Sequence, residues 1–186
     1  MIRIGVVVGS TRPGRKAEAV ATWVRDIAAQ RGDATAELVD LADHALPHLN
    51  TPLPPSMAPS GDPAVRRWAA RIAAFDAYVF VTPEYNHSVP GVLKDAIDYL
   101  YREWRNKAAG LVSYGVHGGT RAAEHLRLVL SQVEVADVRS QVSLSLVTDF
   151  VDFTEFRPAP TQAKAVGEML DQVVAWAGAL RVLRAR

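Results

Sequence analysis

The sequence predicts an α/β fold, a three-layer sandwich in which a five-stranded parallel sheet is covered by helices on both faces. Three observations predict it. Short apolar runs alternate with segments of helical periodicity about five times along the 186 residues, as strand–helix crossovers do. The first run, residues 2–8, is apolar on both faces (Ile4, Val6, Val7, Val8), which suits a central strand buried between two helical layers. The loops after the first, third and fourth strands are rich in glycine and polar residues. In such a sheet, loops at the carboxyl ends of the strands share one edge, where ligands bind.

The elements follow in order. Residues 9–15 form a loop, and from Ala17 a helix places Val20, Val24, Ile27 and Ala28 at helical spacing until Gly32. Residues 34–41 form a half-polar second strand nearer an edge, with Ala36, Leu38 and Asp40 alternating against Glu37 and Val39. Residues 43–61 hold five prolines and predict a rigid irregular loop, longer than most connections and so a place for specificity or an interface. Asp62-Pro63 marks a helix start, with Asp62 as cap and Pro63 in the first turn. Val65, Trp68, Ala69 and Ile72 form its apolar stripe. Residues 77–81 are the third strand, 82–88 a polar loop, and a helix runs from Ser88 or Val89 to about Leu100. Residues 108–114 are the fourth strand, followed by a loop at 115–119 and a helix at 120–130. A fifth strand covers 133–138, residues 141–153 form a further strand or extended arm, and a closing helix covers 161–180. Five such units suit the flavodoxin-like order 2-1-3-4-5 better than a six-stranded dinucleotide-binding sheet. Residues 1–186 form one domain, a size at which roughly two thirds of the chain's surface can be buried.

Composition excludes several classes. With no cysteine, there is no disulfide, thiolate nucleophile or zinc–thiolate site. His44 and His48 sit four apart, but the prolines beside them argue against a metal-binding helix, and no metal site is expected. A formal net charge of +1 gives no basis for nucleic-acid binding. The opening apolar run is too short for a signal peptide, and no stretch approaches the ~20 apolar residues of a membrane span. A cytoplasmic protein without membrane insertion is expected.

Chemistry concentrates in the three loops. Gly9-Ser10-Thr11-Arg12-Pro13-Gly14-Arg15-Lys16 combines glycines, hydroxyls and guanidinium groups with a helix start, an anion site by its parts. It shares the glycine spacing of a P-loop but lacks its Lys and hydroxyl, and it lacks the dinucleotide fingerprint. A terminal phosphate therefore fits best. In Thr82-Pro83-Glu84-Tyr85-Asn86-His87-Ser88, Tyr85 can stack on a flat heterocycle and Asn86 can meet its polar edge. Glu84 is either a base or a brace, and His87 suits a structural or solvent-facing role better than that of a proton donor. Ser113-Tyr114-Gly115-Val116-His117-Gly118-Gly119 leaves backbone closely approachable and can cover one end of such a ring. A hydrolase is disfavoured, because no G-x-S-x-G elbow is present.

These residues carry a resemblance. Residues 9–15, 83–98 and Tyr114-Gly115-x-x-Gly118-Gly119 resemble the NADPH-dependent FMN reductase family, flavodoxin-like flavoproteins that include quinone, azo and chromate reductases. The likeness spans the chain to about residue 130. It implies an FMN with its phosphate on Ser10, Arg12 and Arg15 and its ring against Pro83, Glu84, Tyr85 and Asn86. Ser113, Tyr114, Gly115 and Gly118 supply the third contact. It further implies hydride transfer from NADPH or NADH through FMN, which carries the chemistry without a catalytic side chain, to a flavin, quinone or similar small acceptor. A homodimer or homotetramer is implied as well. The alternatives are an electron-transfer module without its own NAD(P)H oxidation, and a binding protein that keeps the fold but not the cofactor. Tyr99, Tyr101 and Trp104 are candidates either for an oligomer interface or for capping the core.

Overall fold

The computed structural model describes residues 1–184. Its strands are β1 (Ile2–Val8), β2 (Ala34–Asp40), β3 (Ala77–Pro83), β4 (Lys107–Gly115) and β5 (Val135–Ser145), with a small ribbon of β6 (Phe150–Val151) and β7 (Glu155–Phe156). Its α-helices are α1 (Ala17–Ala29), α2 (Pro63–Ala73), α3 (Gly91–Asp98), α4 (Thr120–Gln132) and α5 (Pro160–Arg184), and a 3-10 turn covers Leu41–His44. The main sheet has the order β2-β1-β3-β4-β5 with every neighbouring pair parallel, as predicted.

The sheet separates two cores. On one face α1 and α5 cover it through residues such as Val20, Val24, Leu170 and Val173. On the other face α2, α3 and α4 cover it through Trp68, Ile97 and Leu126. The inner strands β1, β3 and β4 are buried on both faces, whereas β2 is an edge strand whose Thr35 and Glu37 are exposed. Val39 is the most buried residue in the second half of β2, and it faces the α2 side. Asp62 caps α2, its carboxylate accepting from the amides of Ala64 and Val65 at 2.7 and 3.4 Å. Such caps contribute about 1 kcal/mol.

Several boundaries differ from expectation. Helix α3 begins at Gly91 rather than Ser88, because Tyr85 and Ser88 pair in a tight turn and Pro90 is extended, with ψ 141. Residues 133–138 and 141–153 are not two separate strands. One strand, β5, joins 135–138 to 141–145, and its register against β4 shifts between Ala109 and Leu111. The polar pair Arg139-Ser140, which interrupts the apolar alternation, sits in that bulge. Arg127 of α4 donates to the bulge carbonyls of Val138 and Arg139 at 2.9 and 3.4 Å, and Gln172 of α5 accepts from the Ser140 amide at 3.1 Å. Only β6 and β7 remain as an arm.

Tyr99 and Trp104 belong to the core, with exposures of 1% and 0%. The Trp104 indole donates to the Ile97 carbonyl at 3.1 Å. The Tyr99 hydroxyl donates to the His48 carbonyl at 2.8 Å and so ties the proline-rich loop to α3. Tyr101, half-buried, bonds to Glu134 at 3.1 Å. No helix among the described residues is long and apolar enough to cross a membrane.

Candidate active site

The three loops meet at the carboxyl edge of the sheet, as the topology requires. They enclose a cleft of about 310 Å³ whose lining includes Arg12, Arg15, Pro83, Glu84, Tyr85, Tyr114 and Gly115.

The first loop is shaped by two glycines. A Cβ on Gly9 would lie 2.7 Å from the Val81 carbonyl oxygen, so only glycine lets this loop cross β3 so closely. The Gly9 amide donates to that same oxygen at 2.9 Å. Gly14 has φ +69, a left-handed conformation that closes the turn between Arg12 and Arg15. Ser10 is fully buried; its hydroxyl is 3.0 Å from the Tyr85 hydroxyl and accepts from the Arg12 amide at 3.4 Å. Helix α1 begins at Ala17, and its N-cap residue Lys16 makes no side-chain cap, which leaves the positive end of the dipole open to an anion.

The two arginines differ. Arg12 is exposed, and its guanidinium lies over the Tyr85 ring at 5.9 Å from the centroid. Arg15 is drawn back toward the end of β2, paired with Asp40 and 3.7 Å from Glu18. Its Nε is buried and, among the described residues, has no hydrogen-bond partner. A buried unsatisfied donor of this kind is costly in an otherwise satisfied interior. A phosphate at the loop would supply the missing acceptor, so these residues fit one.

The second loop is a tight hairpin. Tyr85 and Ser88 exchange backbone bonds at 2.9 and 3.1 Å. The residues between them, Asn86 and His87, have φ 48 and 73, the geometry of a type I′ turn. Asparagine is usual at the first of these positions and glycine at the second, so His87 is the residue that holds strain, of the kind found at functional sites. Both are exposed, and the turn presents backbone rather than a buried Asn86 side chain. His87 faces outward, its ring 5.8 Å from that of His125, whose Nδ1 is 3.0 Å from the Ser88 hydroxyl.

Glu84 is a brace. Its carboxylate accepts from the Arg121 amide at 3.2 Å and pairs with the Arg121 guanidinium. The Ala122 amide points to it as well. It thereby caps the start of α4, where Gly119 offers no side chain. Burial alone would raise its pKa, but the bonds from Arg121 outweigh burial and hold the carboxyl below the usual range.

In the third loop, Tyr114 and Gly115 face the cleft, whereas Ser113 and Gly118 stand behind it. The Ser113 hydroxyl donates to the Gly118 carbonyl at 2.7 Å. Gly118 and Gly119 have φ +72 and +67. Burial pushes the Tyr114 phenol well above its ordinary pKa, partly offset by the Ala17 amide, so it stays protonated and reaches the start of α1. The loops are stitched together: the Glu84 amide donates to the Tyr114 carbonyl at 3.1 Å, and the Leu146 amide to that of Gly115 at 2.9 Å.

All eleven residues singled out from the sequence lie in these loops. Ser10, Ser113 and Gly118 support the walls from behind, Asn86 shapes the turn tip, and the other seven line the cleft. Sequence reasoning missed Asp40, Arg121 and Leu146. Arg121 did leave a signal, because a cation in the first turn of a helix opposes the dipole unless an acid answers it.

The sequence matches the NADPH-dependent FMN reductase family over residues 2–149. The chain belongs to that family. Relatives include the NAD(P)H-dependent FMN reductase C4B3.06c of Schizosaccharomyces pombe, 34% identical over 169 residues, covering 90% of this chain and 84% of the relative. Another is the NAD(P)H-dependent FMN reductase ntnL of a Nectria species, 36% identical over 159 residues, covering 80% of this chain and 79% of the relative. Among solved structures, the flavoenzyme NAD(P)H:(acceptor) oxidoreductase FerB of Paracoccus denitrificans superposes with a TM-score of 0.76 at 25% identity, covering 96% of this chain and 98% of that one. As a member of this family, the chain is an FMN-dependent NAD(P)H oxidoreductase acting on small acceptors.

Proposed function

We propose that FMN occupies the cleft with its phosphate in the first loop and its ring across the second and third, and that a reduced nicotinamide dinucleotide and a quinone-like acceptor take turns against it. The observation that carries this reading is the unpartnered, buried Nε of Arg15 at the uncapped start of α1, with the free guanidinium of Arg12 beside it. Arg12 and Arg15 bind the phosphate, and Ser10 sets the loop through Tyr85. Pro83, Glu84, Tyr85 and Asn86 carry the ring through the rigid turn. Tyr114 and Gly115 meet its far side, supported by Ser113 and Gly118.

FMN supplies the two-electron chemistry, which no side chain here can supply. The chain contributes position and electrostatics. Glu84 is ionised and committed to Arg121, so it is not a proton source. Tyr114 keeps its proton, and its phenol oxygen accepts from the Ala17 amide. The net reaction converts reduced dinucleotide, quinone and one proton from water into oxidised dinucleotide and hydroquinone.

The working form proposed is a homodimer or homotetramer. The proline-rich loop exposes Leu53 and Met57, with exposures of 48% and 71%, which suits a contact between copies. Light scattering at micromolar concentration tests this, and a monomer mass refutes it. The catalytic reading is tested by anaerobic mixing of the FMN-loaded protein with NADH or NADPH. Rapid loss of the visible flavin band is expected, and a stable spectrum would overturn it in favour of a carrier.

A further inference from the structure

A second cleft lies on the other side of the phosphate loop. Its volume is about 490 Å³, within the range of small-molecule sites. Thr11 forms part of its wall, and the next residue, Arg12, lines the flavin cleft, so the two spaces share one partition. Leu41, Leu46 and Val92 provide apolar walls, and Thr11, His48 and Asp95 provide the polar groups. Apolar walls with a few convergent polar groups suit a heterocycle joined to a sugar.

The rim is built rather than loose. Asp95 of α3 accepts from the Leu49 amide at 3.4 Å and meets His48 Nδ1 at 2.8 Å. The buried Tyr99 holds the His48 carbonyl at 2.8 Å. The His48 side chain nonetheless remains 95% exposed, with its outer edge open to a ligand. Among the described residues, no lysine or arginine lines this cleft, and its one carboxylate is Asp95. A carboxylate accepts hydrogen bonds from ribose hydroxyls, whereas a 2′-phosphate calls for an arginine. Arg12, the neighbouring cation, turns away over Tyr85.

We propose that this second cleft binds the adenosine end of the dinucleotide whose nicotinamide reaches the flavin cleft, and that Asp95 makes the chain prefer NADH to NADPH. The proposal rests on the flavin reading above, and it departs from the nucleotide in the family's name.

The test is calorimetric titration of the FMN-loaded protein with 5′-AMP and with 2′,5′-ADP. AMP should bind, and the 2′-phosphorylated ligand should bind about tenfold more weakly. Val92→Trp fills the cleft from α3. It should weaken AMP about tenfold at the parent's FMN content, and raise the KM for NADH about tenfold relative to that for reduced nicotinamide mononucleotide, which lacks adenosine. Ala42→Arg adds a cation at an exposed rim position and should strengthen 2′,5′-ADP binding. The subsite is overturned if AMP fails to bind, or if Val92→Trp raises both KM values equally. The preference is overturned if 2′,5′-ADP binds as tightly as AMP. If AMP binds as expected but neither reduced nucleotide is oxidised, the subsite stands and the catalytic reading falls.

Discussion

Replacing Glu84 by Gln tests whether this side chain is a brace, because it keeps the shape and removes the charge. Three groups converge on the carboxylate: the Arg121 amide at 3.2 Å, the Arg121 guanidinium and the Ala122 amide. A hydrogen bond to a charged group contributes roughly 1.5–3 kcal/mol, and a carboxylate at a helix start adds up to about 1 kcal/mol. Arg121 is 43% exposed and returns to water in the variant, which reduces the loss. A net destabilisation of about 2 kcal/mol remains, or a Tm lower by about 4–8 °C for a chain of this size. The pH dependence is specific. The folded-state pKa of Glu84 is depressed below 4.5, so its contribution is full above the unfolded value and is lost as pH falls through the folded one. Thermal unfolding of parent and variant should therefore show the full gap at pH 7 and a closing gap below pH 4.5. A variant as stable as the parent at pH 7, or a gap unchanged in acid, refutes the assignment.

Further expectations follow from the same contacts. Gly119→Ala would place a Cβ 2.8 Å from the Tyr114 amide nitrogen and carbonyl oxygen at φ +67. It should cost about 1–3 kcal/mol in urea unfolding and loosen FMN, because the third loop must shift. Tyr85→Phe removes the closer of the two partners of the buried Ser10 hydroxyl; about 1 kcal/mol of stability should be lost, with weaker FMN binding by fluorescence titration. Lys107 is buried, its ammonium bonded to the Ile72 carbonyl at 3.0 Å and the Tyr78 hydroxyl at 2.9 Å. Desolvation pulls its pKa down to about 8 from 10.5. Above pH 8 the unfolded chain binds more protons there, so urea midpoints should rise from pH 8 to roughly 9.5. Beyond that, the buried phenols of Tyr78 and Tyr114 reverse the trend, since their folded pKa values are raised. Lys107→Met should abolish the rise.

Much of this was legible in the chain because it is local. The pattern from Gly9 to Lys16, the Asp62-Pro63 cap and the doubly apolar inner strands each announce themselves within a few residues. Local chemistry also placed the three loops on one edge, because parallel topology leaves them nowhere else. What escaped is long-range. Arg15 pairs with Asp40, 25 residues away, and Glu84 with Arg121, 37 away; neither spacing marks a partner. The β5 bulge reads as a break because Arg139 and Ser140 disturb the alternation, yet Arg127 and Gln172 satisfy it from two helices. Tyr99 and Trp104 look like interface aromatics until their polar atoms are seen to hold backbone carbonyls inside the core.

The most direct measurement compares FMN with riboflavin on the apoprotein, since the two differ only in the phosphate. Two charge-assisted contacts from Arg12 and Arg15, with the open end of α1, should favour FMN by about 3 kcal/mol, or roughly a hundredfold in Kd. Arg12→Ala should erase most of that ratio while leaving riboflavin binding near the parent value. Equal affinity for the two flavins, or a ratio untouched by Arg12→Ala, would contradict the account.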